Sequence, residues 1–432
     1  MKTLAIIAGK TATVVGGMLG RGSSLPGMIA RKIDPELFHK IQLPKQTIVV
    51  TGTNGKTTTA NMLRHVFETA GLKVVQNTKG ANLLSGLLTT LVESTNLSGK
   101  VMADVVVLEV DEQTIPQFFQ AVTPTHFVIH NFFRDQLDRY GEIDILIDKI
   151  EEVIDPTTTL VLNADDPLVR QISFDTNREA IYYGVNQTPY SLEEMSQVRE
   201  AKFCPNCNRK LAYEFFHYSQ LGNYQCECGF GKPACEYAAD DVNLKAGTFR
   251  VGQTTYKIQY RNLYFIFNAM AVVAMAKEYG IDEAIIQEAL ATFKIDDGRM
   301  ETFNFGPHQL LLNLVKNPTG LNQTLDYIKN EADEKVALMM TLNNLAADGQ
   351  DTSWIWDGDF EQLTQFPLEQ FICSGIRAYD LAVRLKYAGV AEDKIVVIED
   401  VAMALETLKQ TTATPYLLST YTALQKTRAL LK

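Results

Sequence analysis

Residues 46–71 have the sequence QTIVVTGTNGKTTTANMLRHVFETAG, and this stretch decides the fold. QTIVV is an apolar, β-branched run bounded by polar residues and glycine, which is the pattern of a buried strand. After the loop TGTNGKT, the segment TTANMLRHVFETAG carries apolar residues at helical spacing on one face and ends at Gly71. A buried strand, a glycine loop and a helix in this order are half of a parallel α/β unit.

The same alternation continues along the chain. LKVVQN, DVVVLEVD, THFVIHN and TTLVLNAD all have the pattern of buried strands, and the helical stretch 265–280 resumes the rhythm. We therefore predict a doubly wound, mostly parallel α/β sheet over residues 46–300, preceded by a short segment of 1–45. The strand-like runs LLLNLV, VALMMTL, FICSG, IVVIED and PYLLS predict a second α/β domain over 301–432.

Composition excludes several classes of function. The net charge is -11, which argues against a nucleic-acid partner, because phosphate backbones require a basic surface. No run of 18 apolar residues exists, so no transmembrane segment is predicted. Lys10 interrupts the apolar N-terminal run and no clean cleavage site follows it, so we expect a helix packed on the body or lying near a membrane, not a signal peptide.

The loop after the first strand has the composition of a phosphate-binding loop. Its motif is Gly-x-x-Gly-Lys-Thr, shorter than the common Walker form, and it sits between a buried strand and a helix as the mechanism requires. Lys56 is placed to reach the β- and γ-phosphates of ATP, and the Thr57 hydroxyl to bind Mg²⁺. The predicted nucleotide-binding residues of this loop are Thr53, Asn54, Gly55, Lys56, Thr57 and Thr58.

Carboxylates follow two other predicted strands. Glu109 ends DVVVLE, where parallel strands face a ligand crevice, and Mg²⁺ prefers one or two carboxylates with phosphate and water. Asn131, Asp135 and Asp138 follow THFVIH. A solvated turn explains the composition of this second group equally well.

Five of the six cysteines fall within 32 residues. Cys204-Pro-Asn-Cys207 and Cys226-Glu-Cys228 form two short knuckles, which predict a structural Zn²⁺ bound by four thiolates in an insert at about 198–240. Cys235 is an alternative ligand, and free buried thiols are the alternative to a metal. Cys373, in the strand-like FICSG, is predicted to be a core thiol.

Six ordered motifs carry a resemblance to a known family. TGTNGKTTT, LEVDE, HNFFRDQLDRYGE, VLNADDP, FNAMA and GRME resemble those of the Mur ligase and folylpolyglutamate synthase superfamily. The resemblance implies ATP-dependent joining of a carboxylate to an amine through an acyl phosphate, with Lys56 and Glu109 catalytic and Thr57 and Glu109 holding Mg²⁺. It also implies an adenine-pocket role for Asn268 and a phosphate-contacting role for Arg299.

The chain departs from the family pattern at three places. The common Asp-His-x-Asp is Asp135-Gln136-Leu137-Asp138 here. Lys149 is only approximately placed for the family's carbamylated lysine, and a surface lysine is the alternative. The C-terminal Asp-Tyr-Ala-His-Asn-Pro becomes NLVKNP at 313–318, so an amino-acid-binding role is not carried over.

Two features narrow the resemblance to one branch. First, about 45 residues precede the loop strand, which is too few for a domain that binds UDP. Second, the chain carries both the cysteine insert and the segment ADGQDTSWIWDGDFE at 347–361. Together they resemble the branch that amidates lipid II in peptidoglycan synthesis. This implies a cytoplasmic enzyme at the inner face of the membrane that converts the D-glutamate α-carboxylate to D-isoglutamine. Ammonia would come from a separate glutaminase subunit of the GatD type, in a heterodimer.

An acid in this last segment is predicted to serve the partner. Both tryptophans, Trp354 and Trp356, lie there, and tryptophan is enriched at interface hot spots. We predict that Asp351, or next Asp348, orients the histidine of a glutaminase triad across the subunit boundary. The alternative is that Asp351 caps a helix and the tryptophans pack in the core.

Three other functions remain open from the sequence. One is another ligase of the superfamily that uses an amino acid in place of ammonia. A second is a zinc-ribbon adaptor with a vestigial nucleotide site, against which the intact Gly55-Lys56-Thr57 and Glu109 weigh. A third is a nucleic-acid-binding ribbon, which the acidic charge disfavours.

Overall fold

The chain folds into two compact units. The structure is a computed structural model that describes residues 1–18, 24–77, 81–134, 143–176, 178–195, 199–295, 298–332 and 334–432. The first unit comprises Met1–Phe132, Glu142–Glu194 and Ala201–Phe293, and the second comprises Phe133–Gly141, Met195–Glu200 and Lys294–Lys432. Each contains its own mixed, mostly parallel sheet, so the predicted α/β class is confirmed.

The first unit alternates strands and helices over most of its length. Its helices are α1 (Lys2–Met18), α2 (Leu25–Ile33), α3 (Leu37–Lys40), α4 (Lys56–Thr69), α5 (Leu84–Ser94), α6 (Ile115–Phe119), α7 (Ile143–Glu151), α8 (Pro167–Asp175), α9 (Leu263–Glu278) and α10 (Glu283–Thr292). Its strands are β1 (Gln46–Thr51), β2 (Val74–Gln76), β3 (Val105–Glu109), β4 (His126–Ile129), β5 (Thr159–Asn163), β6 (Ala180–Val185), β7 (Ala212–Tyr218), β8 (Leu221–Gln225), β9 (Tyr237–Asn243), β10 (Thr248–Val251) and β11 (Thr254–Lys257).

The main sheet places the ends of three central strands side by side. Its order is β11-β10-β9-β6-β5-β4-β1-β3-β2, with the strands from β9 to β2 parallel and β10 and β11 antiparallel. Val50 of β1 is in register with Glu109 of β3, and Thr51 with Ile129 of β4. The segments that follow β1, β3 and β4 therefore emerge at one edge of the sheet, where ligands of such sheets bind.

The N-terminal helices pack on one another and on α5. A Cβ built at Gly9 of α1 would lie 2.8 Å from Val92 Cγ1, and one at Gly27 of α2 would lie 2.0 Å from the Ser85 carbonyl oxygen. Helix α2 begins inside LPG, a loop-like sequence, because proline is tolerated in the first helical turn and Gly27 permits the close approach. In the described part of the chain, no helix is both long and apolar enough to cross a membrane.

The cysteine-rich insert is tied to the sheet through a buried carboxylate. The β7–β8 hairpin forms a separate antiparallel sheet, and it lies in sequence between β6 and β9, which pair with each other. Asp165, after β5, accepts a hydrogen bond from Lys232 Nζ at 2.8 Å and lies 3.4 Å from His217 Nε2. Burial alone would raise the pKa of Asp165, but Lys232 and His217 outweigh it and hold that pKa below its usual value.

The neighbouring Asp166 links the insert to the strand end beside the loop. Its Oδ2 accepts from the backbone N–H of Phe132, and its Oδ1 from the N–H of Leu168 as the N-cap of α8. Gln220, between β7 and β8, donates from Nε2 to the Phe132 carbonyl at 2.7 Å. Burial raises the pKa of Asp166 to about 7, although these donors act against the shift.

The second unit is a six-stranded sheet covered on both faces. The strand order is β12-β13-β17-β14-β15-β16, parallel except for the β12–β13 hairpin. One face carries Leu338, Met340 and Phe371, and the other carries Met339, Ile372 and Leu417, the alternation of a sheet with two cores. Its strands are β12 (Glu301–Phe305), β13 (His308–Leu314), β14 (Val336–Thr341), β15 (Leu368–Ser374), β16 (Ile395–Val397) and β17 (Thr414–Ser419). Its helices are α11 (Pro318–Glu331), α12 (Ala378–Tyr387), α13 (Val401–Lys409) and α14 (Tyr421–Leu431), with 3₁₀ helices at Ser353–Trp356, Phe360–Gln365 and Glu392–Lys394.

Candidate active site

The loop after β1 holds two glycines in left-handed conformations. Gly52 has φ +132°, and a Cβ there would lie 2.8 Å from His130 Cβ. Gly55 has φ +90° and immediately precedes α4, and a Cβ there would lie 2.3 Å from Asn268 Oδ1. Both positions require glycine for conformation and for space, so the loop can turn tightly against β4 and α9.

Asn131, directly after β4, clamps the loop. Its Oδ1 accepts from the Asn54 N–H at 2.9 Å and its Nδ2 donates to the Asn54 carbonyl at 3.1 Å, while its own carbonyl accepts from the Thr53 N–H. This reciprocal pairing fixes the backbone of the loop before any ligand arrives. The sequence predicted Asn131 near the site, and its role as the clamp emerges only from the structure.

The start of α4 presents unused donors. Within the described ranges no side chain caps this helix, which begins at Lys56, so the N–H groups of its first turn are available to an anion. Asn268 Nδ2, which would lie 3.7 Å from a Cβ built at Gly55, is buried and has no hydrogen-bond partner among the described residues. A buried donor without a partner is costly, so this arrangement fits a site that a nucleotide completes.

Lys56 lies in an acidic environment. Its Nζ is buried and lies 2.9 Å from Glu112 Oε2. Burial would lower the pKa of Lys56, but Glu112, Asp111 and Glu109 outweigh it and raise that pKa, so the lysine is charged. The sequence patterns did not single out Glu112, although it is the last residue of the LEVDE motif at 108–112.

Glu109 ends β3 as predicted and is held by two asparagines. Asn77 bonds the backbone N–H and carbonyl of Glu109, and Asn82 Nδ2 lies 3.4 Å from its Oε1. The buried carboxylates of Glu109 and Glu112, the Thr57 hydroxyl in the first turn of α4 and water would form an all-oxygen donor set. Such a set is of the kind that Mg²⁺ prefers, and the assignment of Thr57 and Glu109 as its ligands stays a prediction.

His130, the last residue before Asn131, is a site residue that the sequence did not single out. It is buried, and its Nδ1 lies 2.9 Å from the Tyr183 hydroxyl. Burial and then the charge of Lys56 lower the pKa of His130 to about 3, so the ring is neutral. Its Nε2 has no hydrogen-bond partner in the described ranges.

The four predicted zinc ligands converge. The Sγ atoms of Cys204 and Cys228 are 3.7 Å apart, those of Cys207 and Cys226 are 3.4 Å apart, and all four lie within 4.8 Å of one another. A tetrahedral Zn²⁺ with bonds of about 2.3 Å separates its sulfurs by roughly 3.8 Å, so the cluster has the size that zinc needs. Cys235 is outside this cluster and packs against Gly184 of β6, so it does not replace a ligand.

The remaining predicted residues lie elsewhere. Asp135 and Asp138 fall outside the described residues. Lys149 is on the exposed face of α7, which favours a surface lysine over a metal-bridging carbamate. Arg299 belongs to the second unit, just before β12, and its phosphate-contacting role stays a prediction.

Asp351 and Asp348 differ in their surroundings. Asp348 is buried and accepts hydrogen bonds from the Thr422 N–H and hydroxyl and the Leu345 N–H. Asp351 is exposed and accepts from the N–H and hydroxyl of Ser353 at the start of a 3₁₀ helix. Asp351 therefore bonds to the first residue of this helix from the position before its N-cap, Thr352, and its carboxylate stays exposed to solvent.

The loop, the acids beside it and the two α/β units define a nucleotide-dependent ligase of the Mur type. A family model described as the Mur ligase middle domain matches residues 50–276, and one described as the MurT ligase C-terminal matches 314–424. The chain belongs to the MurT family of the Mur ligases.

Curated relatives support this assignment over nearly the whole chain. The chain is 37% identical, over 93% of its length and 90% of the relative's, to the "Lipid II isoglutaminyl synthase (glutamine-hydrolyzing) subunit MurT" of Staphylococcus aureus strain COL. It is 36% identical, over 99% and 96%, to the protein of the same name from Streptococcus pneumoniae.

Solved structures show the same fold at lower identity. A pseudomurein peptide ligase type C from Methanothermus fervidus has a TM-score of 0.71 at 24% identity, covering 92% of this chain and 80% of that one. MurF from Acinetobacter baumannii has a TM-score of 0.65 at 17% identity, covering 93% and 80%. The predicted Mur ligase fold is thereby confirmed.

Substitution of Gly55 tests the geometry of the loop. We expect Gly55→Ala to weaken ATP binding at least about tenfold, because the new methyl group collides with Asn268 and the φ angle disfavours alanine. Gly71→Ala is the matched control: Gly71 follows the other end of α4 with φ +82° and no atom within 4 Å of a built Cβ. Both affinities are measured by calorimetry, and an equal loss of affinity in the two variants would contradict a specific role for the geometry at Gly55.

Proposed function

We propose that this chain is the synthetase subunit of a glutamine-hydrolysing lipid II isoglutaminyl synthase. The observation that carries the proposal is a complete phosphate loop with its acids, Lys56, Glu109 and Glu112, in a chain that matches subunits of that name from end to end. The substrate is the D-glutamate residue of the lipid II stem peptide. The reaction takes place in the cytoplasm, at the membrane face that carries lipid II.

The proposed reaction has two steps. A carboxylate oxygen of D-glutamate takes the γ-phosphoryl group of ATP, which gives an acyl phosphate and ADP. Ammonia then attacks the acyl carbon, the C–O bond to phosphate breaks, and loss of a proton leaves the amide of D-isoglutamine. Mg²⁺ would supply charge neutralisation of the phosphates when bound beside Thr57 and Glu109.

The residues of the chain act through charge and position. Lys56, kept charged by its acidic neighbours, balances negative charge on the transferring phosphoryl group. The uncapped start of α4 and the loop backbone, held by Asn131, orient the phosphates. We propose that Asn268 Nδ2, buried beside Gly55 and unpaired among the residues that the structure describes, donates to the nucleotide.

The test of the proposal is amidation by the assembled enzyme. Wild-type chain, a glutaminase subunit, ATP, glutamine and lipid II should yield D-isoglutamine, measured by mass spectrometry. Lys56→Ala should reduce the rate at least about 10²-fold, as the loss of a transition-state charge does, whereas Lys257→Ala on the exposed side of β11 should not. Incorporation of a free amino acid in place of ammonia would favour the alternative, an amino-acid ligase of the same superfamily.

We propose that the four-cysteine cluster holds one structural Zn²⁺. Four thiolates leave no open coordination position, so the metal stabilises the insert and takes no part in chemistry. The metal would cross-link the two cysteine knuckles and add to the stability that buried residues such as Phe216, Tyr224 and Phe230 give the insert.

Metal analysis tests the zinc proposal. The reduced, freshly purified chain should contain about one Zn²⁺, and Cys204→Ser should lose it and raise amide exchange in the β7–β8 hairpin. Cys235→Ser is the matched control, since Cys235 lies in the same insert outside the cluster, and it should keep full zinc content. Zinc loss in both variants, or absence of zinc from the wild type, would contradict the proposal.

We propose that the glutaminase subunit docks on an aromatic face of the second unit. This face consists of Trp356, Ile376, Tyr379, Val383 and Tyr387, all exposed, the last three at successive turns of α12. The Trp356 and Tyr387 rings pack edge to face at 5.6 Å, and Arg384 lies over Trp356. Exposed tryptophan and tyrosine are enriched at interface hot spots, and the buried Arg384 helps to hold Trp356 in place.

Asp351 lies five residues before Trp356 and is the acid that we propose for the partner's triad. Its carboxylate is exposed, whereas Asp348 is committed to Thr422 and Leu345. An acid in this role orients the histidine and stabilises its charged form without taking its proton.

Asp351→Asn separates this role from helix capping. Glutamine hydrolysis by the complex should fall about 10²-fold or more, as when a triad acid is neutralised, while the two subunits still co-purify. Asp400→Asn is the matched control, because Asp400 is also exposed and caps the first turn of α13 through two donors. Equal hydrolysis by the two variants would leave Asp351 with a structural role alone.

A further inference from the structure

Helix α1 is apolar on two opposite faces. Ala5, Ile6 and Ala12 are buried against the rest of the first unit. On the other side, Leu4, Ile7, Val14 and Val15 are 59%, 45%, 61% and 51% exposed, with Thr11 between them. We call these four exposed residues the α1 face. A surface helix in water normally carries polar residues on its outer side, so the α1 face indicates contact with an apolar phase or a partner.

The adjacent helix adds exposed apolar and basic side chains. Leu25 and Met28 of α2 are exposed, and they are followed by the exposed Arg31 and Lys32. Helix α2 packs directly on α1, where a Cβ at Gly9 would lie 3.3 Å from Ala30 Cβ.

The charge of this segment is opposite to that of the chain. Residues 1–33 contain five basic residues and no acid, in a chain of net charge -11. The first acid, Asp34, is paired with Lys40 Nζ at 2.6 Å. Glu93 of α5 contacts α1: its Oε1 accepts from the Thr13 hydroxyl, and its backbone carbonyl accepts from Lys10 Nζ. Basic helices with an apolar face are the elements that bind anionic membrane surfaces.

The composition of the two exposed apolar surfaces distinguishes their occupants. The aromatic face presents Trp356, Tyr379 and Tyr387, which are side chains of the kind enriched at protein interfaces. The α1 face holds only aliphatic side chains, without tryptophan, tyrosine or phenylalanine. Aliphatic side chains on a helix flanked by lysine and arginine suit insertion into the headgroup and acyl boundary of a lipid leaflet.

We propose that α1 lies in the surface of an anionic phospholipid membrane, with the α1 face inserted and the basic residues of α1 and α2 at the headgroups. The inference deepens the proposed function and rests on it for its purpose, because lipid II is embedded in the membrane. Docking by α1 would hold the enzyme in two dimensions beside its substrate. The membrane contact is peripheral, since one side of α1 packs in the protein core and only the opposite side is available to the lipid.

Vesicle flotation of the full chain tests the proposal. The chain should float with vesicles that contain equal parts of phosphatidylglycerol and phosphatidylcholine, less with phosphatidylcholine alone, and less as salt is added. The triple variant Leu4→Gln, Ile7→Gln, Val14→Gln should bind at least about tenfold more weakly, since it removes the inserted apolar groups. The matched control Leu192→Gln, Met403→Gln, Leu430→Gln changes three equally exposed apolar residues elsewhere and should bind like the wild type.

A second variant protects the test against misfolding. Arg31→Gln with Lys32→Gln leaves the α1 face intact and should weaken binding to phosphatidylglycerol vesicles selectively. Wild-type chain that fails to float, or a triple variant that floats like the wild type, would overturn the proposal. So would a triple variant that loses the glutaminase subunit or changes its oligomeric state, because the α1 face would then be a protein interface.

Amidation of lipid II separates this inference from the proposed function. The complex with the triple variant should keep the wild-type rate on lipid II in detergent micelles and lose it on lipid II in vesicles. A wild-type complex without amidation in detergent would count against the proposed function alone, since flotation still decides the role of α1. Equal rates of the two complexes on vesicles would count against the inference alone.

Discussion

The reciprocal hydrogen bonds between Asn131 and Asn54 hold the phosphate loop in shape, and the rest of the site depends on them. They join the end of β4 to the loop that follows β1, two neighbouring parallel strands. With the loop fixed, Gly52 and Gly55 keep left-handed angles and Lys56 begins α4 with its ammonium among the acids that follow β3. The anion cradle is thus built in advance, which reduces the ordering that a nucleotide would otherwise have to impose.

The charges around Lys56 suit a nucleotide that arrives with its metal. One buried ammonium is surrounded by Glu109, Asp111 and Glu112, so the acids outnumber the base. These carboxylates would repel a triphosphate that carries no metal, whereas they would attract a divalent cation bound to the phosphates. The neutral His130 adds no further positive charge beside the lysine.

Local sequence predicted the elements of the site, and tertiary contacts supplied its connections. The strand, loop and helix around Lys56, the carboxylate of Glu109 and the paired cysteine knuckles are local patterns, so the sequence was sufficient for them. Asn268 meets Gly55 across more than two hundred residues, and no local pattern reveals such a contact. The Asn131 clamp and the partnership of Glu112 with Lys56 likewise depend on the order of strands. The role of Arg299 depends on a bound nucleotide and that of Asp351 on the partner subunit, so both remain predictions.

Asp165 and Asp166 make the cysteine insert and the main sheet depend on each other. Both carboxylates are fully buried beneath the insert, where Lys232, His217 and Gln220 supply partners. Loss of the Lys232 side chain alone would break a buried ion pair with Asp165, at a cost of about 3–5 kcal/mol. The insert and the main sheet are therefore joined by buried polar contacts, so the insert could not be removed or exchanged without also changing the residues that it contacts.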